Sequence, residues 1–462
     1  MPTLLIIENV TSPTPRVVKQ LRSAAEHGWA TKVVIRTGGD RSASRPASGS
    51  EEPWETITVP GQLAHPFATQ RRRSITELSE RLASLRARQE QQIEALRRSG
   101  DEAFAPEHDG VHPRRELELL KSEASEVAAR KRILHAATRI PTPFGRPHGY
   151  GDLLRMESYW QELLEVLAAH DWDVAQAADL DSLPPVVWSC QARSGPGKAV
   201  LDSHELYPEL SNVPDVFREG WRELARTFIP ATDAVIATSE EMAEELVRRY
   251  AAPQPTVVRN CPTVGARADM DLRERTAVAP SAILAVHIGG LREKSRPERL
   301  VTFARMVPDL HVALLGADPH GLTAERLRST ALRSGVADRL HFVGSVPHEA
   351  TVDAVREADV SLVPAGPVDA SMEVSLPNKL FDALAAGVPV VAAEGTATGT
   401  FVTRHGVGCT FDPDRPTTMS TAIEQVMSDP NLREAAHGIS GRVTWHWEED
   451  AYLGVLERAL GG

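Results

Sequence analysis

Two stretches of this chain place glycines, cations and a carboxylate where an anion could be held. Ser371 to Ala393, reading SMEVSLPNKLFDALAAGVPVVAA, has the pattern of a loop, a short helix and a strand. Pro377 suits a first helical turn, Leu380 and Leu384 fall on one face, and Gly387 stands where a left-handed C-terminal cap is wanted. Val388 to Ala393 then read as the strand. The N-terminus of such a helix offers free N–H groups and about half a positive charge, which suits a diphosphate. Asp382, one turn further in, is a good acceptor for two ribose hydroxyls. A nucleotide sugar satisfies both groups; a surface helix that only covers a sheet is the plainer alternative. The other stretch follows the strand Ala282 to Ile288 and reads Gly289, Gly290, Leu291, Arg292, Glu293, Lys294. Paired glycines permit close backbone approach, and the cations can neutralise phosphate oxygens. Taken singly, such glycines form turns.

The elements that must position these groups read as α/β. Leu4 to Ile7 and Lys32 to Ile35 are strand patterns flanking an amphipathic helix, Val17 to Glu26. This βαβ opening lacks GxGxxG, yet its first loop lies at a strand's carboxyl end, where ligands bind. Further strand patterns fall at Asp173 to Ala177, Ala199 to Asp202 and Ala234 to Ala237, with Thr238 or Ser239 able to cap the next helix. His204 and Glu205 follow the second of these, and a histidine there is either catalytic or a hydrogen-bonded structural residue. Gly265 to Arg275 reads as a polar linker. Beyond Ala282 to Ile288 the pattern continues through His311 to Leu315, Leu340 to Val343 and Val360 to Val363.

From Arg71 to Arg139 the composition shifts to Arg, Glu, Leu and Ala. Ile75, Leu78, Leu82 and Leu85 recur at helical spacing, as do Leu117, Leu120, Ala124 and Val127, with a breaker-rich link from Ser99 to Pro113. This predicts an antiparallel helical hairpin whose seam is interrupted by Gln89 and Gln92. Its basic clusters, Arg71 to Arg73, Arg114 with Arg115, and Arg130 to Arg132, suit a solvated face, an anionic acceptor or peripheral contact with a membrane, and the apolar seam could serve a homodimer.

The 462 residues suffice for two or three domains, and a net charge of -12 argues against a general nucleic-acid binder. Cys190, Cys261 and Cys409 are odd in number and far apart, so neither a disulfide framework nor a zinc site is indicated. No run approaches the ~18 apolar residues of a membrane span. The start, MPTLLIIENV, has no basic leader, and a reducing cytoplasm is the expected home.

With these pieces in order, the sequence resembles the family-4 retaining glycosyltransferases, whose two-Rossmann architecture is called GT-B. The pieces are TPRVVKQLRSAAEHGWATKVVI, AADLDSLP, LDSHELYPE, DAVIATSEEMAEELVRRY followed by VVRNCP, HIGGL, and LPNKLFDALAAGVPVV. The likeness covers nearly the whole chain and is weakest in the hairpin and linker. It implies two Rossmann-like domains facing a cleft. Residues 1–264 would form the acceptor side with the hairpin at about 71–139, 265–279 the linker, and 280–445 the donor side. Residues 446–462 would return as a helix to the first domain. The implied reaction moves a sugar from a nucleotide-diphosphate sugar, the co-substrate, to a small-molecule, lipid or glycan acceptor. Neither a cofactor nor a metal takes part.

Carried onto this sequence, the resemblance sets Gly289 and Gly290 beside the diphosphate, with Arg292, Lys294 and Arg296 competing to pair with it. Leu376, Pro377, Asn378 and Lys379 supply the helix N-terminus, Asp382 replaces a ribose-binding glutamate, and Val346 and Pro347 border the base. Thr14, Arg16, His204 and Glu205 face the acceptor, with Asp179 beside the reaction centre. Three features depart from the family. Its acidic pair is separated by seven residues, whereas Glu373 lies nine before Asp382 and Val374 eight before it. Asp is also shorter than Glu by about 1.5 Å. The loop cations are out of the usual register. Where the family often reads HAHDLDTLP, this chain has Gln176, Ala177, Ala178 and Asp179, so both histidines are missing. The expectation is an active transferase with an altered sugar pocket; the alternative is a catalytically silent partner of another transferase.

Overall fold

The computed structural model describes residues 1–36, 52–59, 67–98, 117–121, 123, 124, 127, 128, 151–193, 197–268 and 270–461. Two parallel sheets carry the fold. The first comprises β1 (Thr3–Glu8), β2 (Ala30–Arg36), β3 (Trp54–Val59), β4 (Val174–Ala178), β5 (Lys198–Ser203), β6 (Ala234–Ala237) and β7 (Thr256–Val257), in the order β3-β2-β1-β4-β5-β6-β7. The second comprises β8 (Ile283–Ile288), β9 (Leu310–Leu315), β10 (Leu340–Gly344), β11 (Val360–Val363), β12 (Val390–Ala393) and β13 (Gly408–Phe411), in the order β10-β9-β8-β11-β12-β13. Each order reverses beside its first strand, between β1 and β4 and between β8 and β11, where an open α/β sheet leaves a crevice for ligands.

Both faces of the central strands are covered, so β1, β4, β8 and β11 are buried almost end to end rather than alternating, whereas the edge strand β3 is largely exposed. In β1, Leu5 and Ile7 join one core while Leu4 and Ile6 join another on the opposite face. Helix α1 (Pro15–Glu26) sends Val17, Leu21 and Ala24 into the latter core.

The predicted hairpin begins with α2 (Phe67–Arg98). Its Leu78, Leu82 and Leu85 pack on Leu120, Ala124 and Val127 in a small cluster of their own. Gln89, which interrupts the apolar repeat, donates to the Leu120 carbonyl at 2.8 Å, so the seam gains a hydrogen bond there. The link from Ser99 to Pro113, the clusters Arg114 with Arg115 and Arg130 to Arg132, and the side chains of Arg71 to Arg73 lie outside the described residues. Among the described residues no helix is long and apolar enough to cross a membrane.

The segment read as a polar linker lies between the two sheets and carries a short helix. Asp271 accepts from the Glu274 amide at 3.0 Å and caps a short helix, Leu272–Thr276, whose Leu272 is buried in a second-domain core. An N-cap followed by an apolar residue docks this segment instead of leaving it extended. The returning helix starts at Trp445, whose indole donates to Ser23 Oγ of α1 at 2.8 Å. Tyr452 and Leu456, further along it, join the α1-side core.

Candidate functional site

Three helices organise the cleft: α3 (Glu240–Tyr250), α4 (Ala370–Val374) and α5 (Asn378–Ala385). Helix α5 forms where the sequence predicts a short capped helix. Pro377 is its N-cap residue, Leu380 and Leu384 are buried, and Gly387 closes it at φ +74°. A Cβ at Gly387 would lie 2.2 Å from His437 Nδ1, so only glycine fits. The strand begins at Val390, two residues later than the pattern suggests.

The glycine loop packs against the start of α5. Gly289 takes φ +94°, and a Cβ there would stand 3.9 Å from Lys379 Nζ; around Gly290 the space is open. Lys379 Nζ lies 3.3 Å from the Nε2 of His287, a residue 0% exposed near the end of β8. Burial, with Arg292 reinforcing it and Asp382 opposing, brings the Lys379 ammonium down to about 8. No carboxylate lies within ion-pair distance of Lys379 among the described residues. Asp382 is 3% exposed, and its Oδ1 has no hydrogen-bond partner. Burial raises its carboxyl to about 7 against the pull of Lys19 and Lys379. Lys19, on α1, donates to Asn260 Oδ1 at 3.0 Å and to the Cys261 carbonyl. It also lines a cavity of about 430 Å³ with His348 and Glu349, which follow Val346 and Pro347.

The loop cations divide. Arg292 is exposed, and its charge reaches Lys379. Lys294 Nζ stands 3.6 Å from Glu205 Oε1 across the cleft. Arg296 takes a left-handed conformation, φ 52°, and its guanidinium lies 3.9 Å from Glu298, so it is not gathered with the others. Glu373 is exposed on α4 and makes no side-chain hydrogen bond or ion pair among the described residues. Val374, in the place of the first family acid, has its carbonyl taken by the Ser239 hydroxyl, which also caps α3. Ser371 Oγ accepts from the Leu206 amide at 2.9 Å, and Asp369 Oδ2 from the Ser211 amide at 2.7 Å. Atoms of the first domain thus hold the segment that leads into α5.

On the first-domain side, Asp179 takes φ 75° and turns its carboxylate to the 204–205 turn. Its Oδ1 accepts from the amides of His204 at 2.8 Å and Glu205 at 3.4 Å. His204 sits between two carboxylates, Nδ1 3.5 Å from Asp179 and Nε2 3.2 Å from Asp202. Burial alone lowers an imidazole, but Asp179 and Asp202 outweigh it and raise His204 to about 9. Burial also raises Asp179, to about 7, with His204 opposing. For Asp202, burial is overcome by Arg16 and His204, which hold its carboxyl far below the usual range.

Arg16 is not an acceptor-side group. It is 2% exposed and grips Asp202 with two hydrogen bonds, at 2.8 and 2.7 Å, plus the Val258 carbonyl at 3.1 Å. Thr14 donates its amide to Glu8 at 2.9 Å, which fixes the loop after β1. Gln176, where the family often has histidine, is buried and donates to Gln20 while accepting from the Tyr452 hydroxyl. Gln20 in turn donates to Asp202 at 2.6 Å, so this chain of bonds runs from the returning helix to the carboxylate beside His204. Ala178 is 4% exposed and brings no polar side chain. Sequence reasoning missed His287 and Lys19. His287 had a signal, as a lone histidine inside the apolar strand ILAVHI. Lys19 had none, since its place in α1 is that of any helical lysine.

The chain matches the family model described as Glycosyl transferases group 1 over residues 270–438 and that described as Glycosyltransferase Family 4 over residues 73–261. It is 28% identical over 255 residues to D-inositol 3-phosphate glycosyltransferase 2 of Catenulispora acidiphila, covering 50% of this chain and 57% of that protein. It is 32% identical over 147 residues to the GDP-mannose-dependent alpha-(1-6)-phosphatidylinositol monomannoside mannosyltransferase of Mycolicibacterium smegmatis, covering 32% and 37%. The chain therefore spans about half or less of the length of these curated relatives. Among solved structures, sucrose-phosphate synthase from Thermosynechococcus elongatus superposes with a TM-score of 0.64 at 16% identity, over 100% of this chain and 99% of that one. HepE of Anabaena, in complex with UDP, gives 0.60 at 14% identity, over 99% and 100%. At such identities the likeness is one of fold, and the fold is the paired Rossmann-like arrangement described above. The two family models and this architecture together make the chain a member of the family-4 glycosyltransferases of GT-B fold.

Proposed function

We propose that the chain transfers a sugar from a nucleoside-diphosphate sugar to an acceptor hydroxyl with retention at the anomeric carbon. The observation that carries this reading is the half-buried Lys379 ammonium beside Gly289 at the N-terminal end of α5, with no carboxylate within ion-pair distance among the described residues. A partly desolvated cation at a helix N-terminus is stabilised by an anionic visitor or loses some of its affinity for its proton. One turn further in, the unpartnered Oδ1 of Asp382 is free to accept from ribose hydroxyls. The base would lie beyond Val346 and Pro347, beside the cavity lined by His348 and Glu349.

In the transfer, the acceptor oxygen bonds to the anomeric carbon on the face that the diphosphate leaves. The carbon–oxygen bond to phosphate breaks with its electron pair on the diphosphate, whose oxygen takes the acceptor proton. Lys379, Arg292, Lys294 and the α5 N-terminus stabilise the growing negative charge, and the reaction needs little beyond that and alignment. His204, held as a cation between Asp179 and Asp202, faces the acceptor side in this reading. Ala178 and Val374 supply no polar side chain where relatives carry histidine and acid, which favours a deoxygenated or otherwise modified sugar. The relatives' names include an inositol phosphate and a phosphatidylinositol mannoside, so the acceptor class spans small molecules and lipids, with glycans a third option.

A thermal-shift panel of nucleoside diphosphates against the wild type and Arg292→Ala tests the donor reading, because a ligand that binds only the folded state raises Tm by mass action. One base should give a shift that the variant reduces, and the matching sugar nucleotide should then yield product. No shift with any of them, and no product, would replace the enzyme with a silent partner.

A further inference from the structure

Strand β8 reads ILAVHI, and its one polar residue, His287, is completely buried. Burying an imidazole is costly unless both nitrogens are satisfied. His287 Nδ1 lies 3.0 Å from the Leu362 carbonyl on neighbouring β11. A carbonyl only accepts, so Nδ1 carries the hydrogen and Nε2 of the neutral ring presents a lone pair. That lone pair faces Lys379 Nζ at 3.3 Å, and an ammonium only donates. The main chain therefore sets the tautomer, and the tautomer sets where the ammonium stands.

We propose that His287 is a positioning residue that holds the Lys379 ammonium under the Gly289 loop for the donor diphosphate without neutralising it; the assignment rests on the donor reading above. A carboxylate in this place would fix the ammonium equally well, but it would cancel the charge that the phosphates need. An imidazole lone pair supplies direction and leaves the charge free. The other charged groups facing Lys379 are Asp382 on its own helix and Arg292 from the loop after β8, with Lys19 of α1 beyond Asp382. Burial first, then Arg292, weakens the ammonium's hold on its proton, and Asp382 restores part of it, leaving it at about 8. His287 is held neutral far below its ordinary range, at about 3, by burial and by Lys379. Affinity for a diphosphate should fall as pH rises through about 8 in the free protein, where the amine becomes neutral.

The test is calorimetric titration of the full chain with UDP and GDP between about pH 6 and pH 9.5, for wild type, His287→Leu, His287→Asp and Lys379→Met. Wild type should bind best at the acid end and lose affinity by roughly tenfold per unit above the break. His287→Leu leaves the ammonium without its acceptor, so the break should move to lower pH. His287→Asp pairs the ammonium, so the break should move to higher pH while affinity near neutrality falls by roughly tenfold or more. A residue that served packing alone would not move the break in opposite directions with opposite substitutions. Unchanged breaks in both variants, or shifts of the same sign, overturn the assignment. If neither variant folds, Lys379→Met decides, since a surviving wild-type break there also overturns it. Failure of wild type to bind any nucleoside diphosphate is a different result, which removes the donor reading itself.

Discussion

Lys294 Nζ of the second domain lies 3.6 Å from Glu205 Oε1 of the first, and both side chains are about a third exposed or more. A half-solvated pair of this kind contributes roughly 0–1 kcal/mol. It nevertheless ties up a cation of the glycine loop. Glu205→Gln should therefore change global stability by less than about 1 kcal/mol while raising nucleoside-diphosphate affinity by up to about fivefold, as Lys294 is released. Titration of both proteins reads this directly, and a loss of affinity would mean that Glu205 itself contacts the ligand.

Asp382 should show a conflict between stability and function. Its folded carboxyl is raised from 3.8 to about 7, mainly by burial, so the native state becomes less favourable as pH rises through about 7 and the group ionises. Asp382→Asn removes that charge. It should be more stable at about pH 8 by about 0.5–2 kcal/mol, with the gain vanishing near about pH 4, and should bind a nucleoside diphosphate at least roughly tenfold more weakly. Urea melts at the two pH values check the first half and calorimetry the other.

Arg16 belongs to the framework, and its removal leaves Asp202 charged and 0% exposed. Breaking a buried pair from one side costs about 3–5 kcal/mol. Arg16→Ala should lose stability on that scale. Arg16→Lys should recover only part of it, because an ammonium cannot reproduce the two-pronged contact. Chemical denaturation of the two variants and wild type gives the ranking; equal stability of Arg16→Ala and wild type would return Arg16 to the ligand contacts.

The His204 pocket should make the protein less stable in mild alkali. The imidazole rises from 6.5 to about 9, where Asp179 and Asp202 outweigh burial, so its stabilisation is complete below about pH 6.5 and is lost as pH climbs through about 9. Asp179, raised from 3.8 to about 7 chiefly by burial, adds a loss of the same sign at lower pH. Asp202 acts in the opposite sense, since its carboxyl is depressed and its contribution disappears only in strong acid. The denaturation midpoint should decline between about pH 6.5 and 9, and His204→Gln should flatten that decline.

How far the site can be read from the residues differs from place to place. Helix α5 and its caps are legible because Pro377, Leu380, Leu384 and Gly387 act within one or two turns of chain. The Gly289 loop is legible for the same reason, and Ser239 as a cap likewise. Arg16 is misplaced by its sequence alone because its partner, Asp202, is 186 residues away, and an arginine at a helix start gives no sign of whether it faces a cleft or a core. Arg292, Lys294 and Arg296 are equivalent in sequence. The left-handed turn at Arg296 and the approach of Glu205 from the other domain separate them.

The sequence by itself determined the two α/β halves, the order of most of their strands along the chain and the short capped helix α5. Periodicity, caps and glycines are local, and they act on the backbone wherever the rest of the chain goes. Only the tertiary structure decided that His287 meets Lys379, that Lys19 faces Asp382, and that first-domain atoms secure α4. Those relations depend on which strand ends and helix faces are brought together when the sheets are covered. No spacing along the chain encodes a contact between residues 92 or 165 positions apart.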